Sequence, residues 1–122
     1  MMKNFNGIAK LLAANPVLEK QVRLLGISID PEYDTPEVLK AYGEKRISGP
    51  NPFAHWDLAT GSVEDIRQIA AWFGLTYFRE SGQITHSLVT AVIDKAGRLL
   101  KVFPANSWRP QDIVDVVQQS AN

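Results

Sequence analysis

An α/β fold, with a mixed sheet, a C-terminal β-hairpin and flanking helices, is what this sequence predicts, and three observations carry the prediction. Segments with a strand's composition alternate with segments that repeat apolar residues at helical spacing. Near the end, two apolar runs, "SLVTAVID" and "RLLKVF", meet at a D-K-A-G turn with glycine at its tip. The chain has 122 residues, 45% hydrophobic and 21% charged, which is one domain's worth of chain and enough to bury a core without disulfides or metal.

The opening segment carries Phe5, Ile8, Leu11 and Leu12 at helical spacing, and Asn15 with Pro16 marks its end. A further helical turn is expected over Val17–Gln21. "VRLLGISI", Val22–Ile29, has the length and flanks of a strand buried in a parallel sheet. The period then switches. Thr35 is placed to cap a helix, Pro36 to occupy its first position and Glu37 to favour its positive end, with Val38, Leu39 and Tyr42 as the buried stripe. "ISGPNPFAH" reads as a loop and Trp56–Ala59 as a short strand. Ser62 with Asp65 resembles a capping box for a helix that buries Ile66, Ile69, Ala70 and Phe73 and ends at Gly74. "LTYF" is a short strand, the hairpin follows, and Pro110 opens a last helix with Ile113, Val114 and Val117 on one face. A sheet of this kind that starts with a helix lacks the strand from which that helix would cross over. The expectation is therefore a chain that begins in mid-fold.

Composition excludes several functions. Thirteen basic and thirteen acidic side chains cancel, so no field draws in a nucleic-acid backbone or an anionic bilayer. There is no cysteine, which closes disulfide, thiol-redox and thiolate–metal chemistry to this chain on its own. No apolar run, "LLAA" included, approaches the roughly 18–20 residues of a membrane span. The first residues have neither the continuous apolar stretch nor the cleavage site of a signal peptide. No Ser/His/Asp arrangement, phosphate-cradling glycine loop or paired-carboxylate motif stands out, so no catalytic residue is assigned.

The candidates for chemistry are few. His86 stands at the mouth of the apolar run that starts the hairpin and reads either as a loop-anchoring histidine or as a metal ligand. His55 reads as a loop histidine beside aromatic packing. Asp30 and Asp34 could form an acidic metal pair but more simply brace the turn into the next helix. Trp56, Trp72 and Trp108 read as core or rim packing.

Three stretches together resemble the Sco/SenC family of thioredoxin-fold proteins. They are "LLGISIDPEYDTPEVLKAY", with its strand and D-P-E-x-D-T-P turn, "LATGSVEDIRQIAAWFGLTY", with its T-G-S start and F-G end, and "ITHSLVTAVIDKAGRLLKVF", the His-led hairpin. The similarity runs from about Asn4 to Gln118. It implies an incomplete thioredoxin-like fold, and a family role in copper delivery and thiol redox during cytochrome c oxidase assembly, with cytochrome c oxidase subunit II as partner. Family members work outside the cytoplasmic membrane, usually tethered to it. The family's metal site is a C-x-x-x-C-P motif joined by the histidine before the hairpin, and His86 matches that histidine. This sequence lacks the cysteine motif and has Thr85 where the family tends to have aspartate. "MMKNF" resembles the stretch just after the motif, so the resemblance implies a domain truncated at its N-terminus.

Copper(I) is soft and prefers thiolates, with imidazole an acceptable third donor, so two cysteines and one histidine suit it. Alone, His86 is a single neutral donor, and copper is not expected to be held tightly. The thioethers of Met1 and Met2 offer only a feeble substitute. In the thioredoxin-like sheet the missing strand is central, between the strand at Val22–Ile29 and the hairpin strand starting at Ser87. Its loss would leave unpaired backbone groups, each costing on the order of 1–3 kcal/mol when buried, so self-association or a repacked sheet is expected. Two other readings stay open: a thiol-free interaction or scaffold module, and a remote relative of thioredoxin-fold redox enzymes.

Overall fold

The structure, a computed structural model, describes residues 2–75, 77–80, 83–86, 89–104 and 107–121, the side chains of 77–80, 83–86 and 121 excepted. The elements run α1 (Met2–Ala13), α2 (Pro16–Glu19), β1 (Leu24–Ile27), α3 (Pro36–Arg46), β2 (Trp56–Ala59), α4 (Val63–Trp72), β3 (Tyr77–Glu80), β4 (Gln83–His86), β5 (Val89–Ile93), β6 (Leu99–Pro104) and α5 (Pro110–Ala121). The predicted α/β class, with flanking helices and a C-terminal hairpin, is the one the chain adopts. Its strands form three two-stranded ladders, β1 with β2, β3 with β4 and β5 with β6. The chain groups into two compact units, one of Met1–Leu24 with Val89–Asn122 and the other of Leu25–Leu88.

In the first unit α1 buries Phe5, Ile8 and Leu12, three residues at helical spacing, while Leu11 sits at the exposed edge of the stripe. Asn15 caps the short α2, its Oδ1 accepting from the Leu18 N–H at 3.3 Å, and Pro16 takes the first position, where it has no N–H to lose. Helix α2 ends at Glu19, two residues before the expected limit. The indole of Trp108 lies between Phe5 of α1 and Phe103 of β6, with ring centroids 6.2 and 6.4 Å away, and so joins helix to hairpin. In the hairpin, Thr90 and Val92 of β5 are buried with Phe103 of β6. Its turn is built around Asp94, whose Oδ1 accepts from the N–H groups of Ala96 and Arg98, both at 2.9 Å, while Gly97 takes the left-handed φ of 83°. Leu100 is the extra residue of a bulge opposite the Val92–Ile93 step. At the start of α5 the Arg109 N–H donates to Asp112 Oδ2 at 2.8 Å, so an aspartate three residues into the turn satisfies a backbone donor. Ile113 and Val114 are buried and Val117 half-buried.

In the second unit, two glycines make room for one leucine. A Cβ on Gly26 of β1 would stand 2.9 Å from one methyl of Leu58, and a Cβ on Gly43 of α3 would stand 3.2 Å from the other. Helix α3 starts as read, with Thr35 Oγ1 accepting from the Val38 N–H at 3.3 Å. Its buried stripe does not. Val38 is 38% and Tyr42 41% exposed, Leu39 is half-buried, and the buried residue of the helix is Gly43. The cause is the close approach at Gly43, where a Cβ would meet the Phe53 ring at 2.5 Å. Packing through a glycine turns the neighbouring face, with Val38 and Tyr42, to solvent. A second expectation fails for β1. Leu24 is buried, but Leu25 and Ile27 on the opposite face are exposed, so the run is not covered on both sides.

Helix α4 begins and ends as its sequence predicts. Ser62 Oγ accepts from the Asp65 N–H at 3.0 Å. At the other end Leu75 N–H donates to the Ala70 carbonyl at 2.8 Å and Gly74 N–H to the Ala71 carbonyl at 3.1 Å, with Gly74 at φ 71°, a Schellman motif. Ile66 and Ala70 are buried, whereas Ile69 is exposed at the stripe's edge and Phe73 is half-buried as the cap residue. Trp56 is buried, and Trp72 is a rim residue that meets Phe73 edge-on at 4.7 Å.

Candidate functional site

His86, the metal-ligand candidate, is the last residue of β4, and its Cα pairs with that of Tyr77 across an antiparallel ladder that continues through Thr85 and Phe78 to Gln83 and Glu80. This pairing fixes the backbone at His86. The imidazole lies outside the described residues, as does Met1. Met2 is described and half-buried in the first turn of α1.

The other candidates resolve into structural roles. Ser28 Oγ donates to Asp34 Oδ2 at 2.5 Å and accepts from the Asp30 N–H at 3.0 Å, while the Asp34 N–H donates to the Asp30 carbonyl at 2.8 Å. Asp34 thus braces the turn that delivers the chain to Thr35, as a short acidic side chain near a helix start does. His55 is exposed in the loop before the buried Trp56. Among the described residues no three of His, Cys, Asp and Glu are grouped to hold a metal ion. The donors do not fit copper(I). The whole sequence has no thiolate and two histidines, and one imidazole with a thioether is a poor match for a soft ion that favours sulfur anions.

The structure adds a groove of ≈ 770 Å³ between β6 and α5, floored by Phe103 and Trp108 and edged by Lys101, Asp112 and Asp115. Its carboxylates are engaged. Asp112 takes the Arg109 N–H and guanidinium, and Asp115 accepts from Gln111 Nε2 at 2.8 Å. The Arg109 N–H above all, helped by the Arg109 guanidinium and by Lys101, holds the Asp112 carboxyl below its ordinary value against the opposing effect of burial. Sequence reading missed two things here. The groove has no local signature, because it joins a strand to a helix. Of the β3–β4 ladder, the strand read at "LTYF" overlaps β3 at Tyr77 and Phe78, while β4 was missed because "QITH" is too polar to announce a strand. Among the described residues no helix is long and apolar enough to cross a membrane.

Comparison with known proteins agrees with this architecture. The SCO1/SenC family model matches residues 1–122. An SCO2-like protein of Rickettsia prowazekii (strain Madrid E) is 37% identical over 109 residues, covering 84% of this chain and 52% of the relative. This chain thus spans about half the length of that relative. The crystal structure of a SCO1/SenC family lipoprotein from Bacillus anthracis superposes with a TM-score of 0.83 at 28% identity, covering 100% of this chain and 71% of that one. ScoI of Arabidopsis thaliana, solved with copper bound, superposes with a TM-score of 0.69 at 23% identity, covering 92% of this chain and 71% of that one, a likeness of fold. The fold is thioredoxin-like, and the chain belongs to the SCO1/SenC family.

Proposed function

We propose that this chain carries the fold of a copper-delivery protein serving cytochrome c oxidase assembly, that His86 keeps the position of one copper ligand, and that the chain by itself performs no metal or thiol-redox chemistry. One observation carries the reading: the family match runs from the first residue to the last, and cysteine is absent throughout. The copper bound to the similar ScoI protein supports copper as the cargo of the fold. Two thiolates and one imidazole make a copper(I) site, and one imidazole does not. Cytochrome c oxidase subunit II is the partner that the family resemblance implies. A chimera tests the role of His86. With a relative's segment containing Cys-x-x-x-Cys-Pro joined ahead of residue 1, the fused protein is expected to bind one copper(I), at least tenfold more weakly after His86→Ala. Equal affinity in that variant would remove His86 from the site.

A second reading, a thiol-free interaction module, is favoured by a specific feature of α3. Val38, Tyr42 and Arg46 follow at four-residue steps, all exposed, with the Arg46 guanidinium 5.2 Å from the centre of the Tyr42 ring. Tyrosine and arginine presented together on a helix are the residue types that dominate protein interfaces. Under this reading Tyr42→Ala weakens binding of the soluble domain of oxidase subunit II at least tenfold with no change in fold, and unaltered binding would set it aside.

A further inference from the structure

We infer that Tyr77 is the positioning residue of the His86 ligand position, because the β3–β4 register sets the two as a directly opposed pair at the end of the ladder. The inference rests on the reading of His86 as one surviving copper ligand. Four pairs make this ladder: Tyr77 with His86, Phe78 with Thr85, Arg79 with Ile84 and Glu80 with Gln83. Strand alternation places Tyr77, Arg79, Ile84 and His86 on one face, and Phe78, Glu80, Gln83 and Thr85 on the other. Tyr77 with His86 is the one pair of the four that joins two aromatic residues. Among the described residues β4 pairs with β3 alone.

The composition of that face selects Tyr77. A two-stranded ribbon is marginal by itself, and its cross-strand pairs are what stabilise it, aromatic pairs among them. His86 closes β4, so no further pair of this ladder holds the chain beyond it. Of the residues that share its face, Ile84 precedes it in its own strand, and Arg79 carries a fixed positive charge that opposes a copper ion. Tyr77 is the neutral ring at the same level of the ladder. A site of two thiolates and one imidazole needs the imidazole in one orientation when the metal arrives. An aromatic residue directly opposite restricts it beforehand, so less ordering remains for binding to impose. Residues outside the ligand set that orient a metal-binding histidine act on affinity in this way.

Proton NMR on the whole chain tests the pairing without copper. The chain has two histidines, so the imidazole C–H resonances of His86 are those lost in His86→Ala. Tyr77→Leu is expected to displace them and leave those of His55 in place, whereas Tyr77→Phe keeps them near the parent's. Phe78→Leu removes a ring from the other face of the same strand and is expected to leave them in place, where a merely structural role would move them in both leucine variants. Resonances that ignore Tyr77→Leu, or that move equally in the two leucine variants, would overturn the inference. Copper(I) affinity gives a second readout, in the protein fused to a relative's Cys-x-x-x-Cys-Pro segment. Tyr77→Leu is expected to weaken it about tenfold and Tyr77→Phe to preserve it. A loss with His86→Ala but none with Tyr77→Leu would overturn the role of Tyr77 and leave that of His86 standing. No loss with either would remove His86 itself from the site, and Tyr77 with it.

Discussion

Gly7 of α1 lies against the ring of Pro110 so closely that a Cβ added to the glycine would stand 2.7 Å from Pro110 Cγ. Two requirements meet at this contact. Pro110 suits the first turn of α5 because its N–H would have no partner there, and Gly7 lets the proline ring press onto the α1 backbone. Inside an exposed helix, glycine to alanine stabilises by about 0.5–1 kcal/mol. Here the opposite sign is expected, because overpacking against a rigid ring costs about 1–3 kcal/mol. Gly7→Ala should lower the urea midpoint, and an unchanged or raised midpoint would show that the two helices separate at little cost.

Burial separates two apolar residues that periodicity alone treats alike. Ile8 is 1% exposed, so Ile8→Ala is expected to cost about 2–5 kcal/mol through lost transfer energy and a residual cavity. Val38→Ala, on the open side of α3, is expected to stay within about 0.5 kcal/mol of the parent. Comparable losses at both positions in chemical denaturation would contradict the packing of α3 through Gly43.

The hairpin turn gives a pH dependence. The Arg98 N–H foremost, joined by the Arg98 guanidinium and the Ala96 N–H, holds the Asp94 carboxyl below its ordinary value of 3.8 against the opposing effect of burial. A depressed folded-state pKa contributes stability that is fully present above 3.8 and lost as pH falls through the folded value. Asp94→Ala should therefore lower stability at neutral pH and flatten the decline on the acid side of 3.8. A variant whose decline parallels that of the parent would show that the turn is not held by the charged carboxylate.

Thr60, between β2 and α4, has a buried hydroxyl with no hydrogen-bond partner among the described residues. An orphaned polar group of this kind costs about 1–3 kcal/mol, and valine has nearly the same shape. Thr60→Val is expected to raise the thermal midpoint. A fall would mean that the hydroxyl does bond in solution.

What could be read in the sequence was local. Thr35, Ser62, Gly74 and Gly97 announce the ends of helices and a turn because each acts on the backbone within a few residues of itself, the first two through a hydroxyl and the glycines through a left-handed φ. The D-K-A-G turn and the aspartate that closes it belong to the same class. Burial was less legible, because a stripe such as Val38–Leu39–Tyr42 says which side of a helix could be covered but not whether a neighbour covers it. At α3 the decision came from Phe53, ten residues beyond Gly43 in sequence, and at β1 from the absence of cover over Leu25 and Ile27. The site divides in the same way. Missing thiolates are visible in composition alone and His86 by its place before the hairpin, whereas the β4 strand that holds its backbone depends on pairing with Tyr77.

The central claim is that this SCO1/SenC chain keeps a ligand position without a copper(I) donor set. Competition of the whole chain with a chromophoric copper(I) chelator tests it most directly. The account predicts that the chain takes no copper from the chelator at sub-micromolar free ion and that His86→Ala behaves identically. One equivalent of copper(I) held below the micromolar range, and released by His86→Ala, would contradict it.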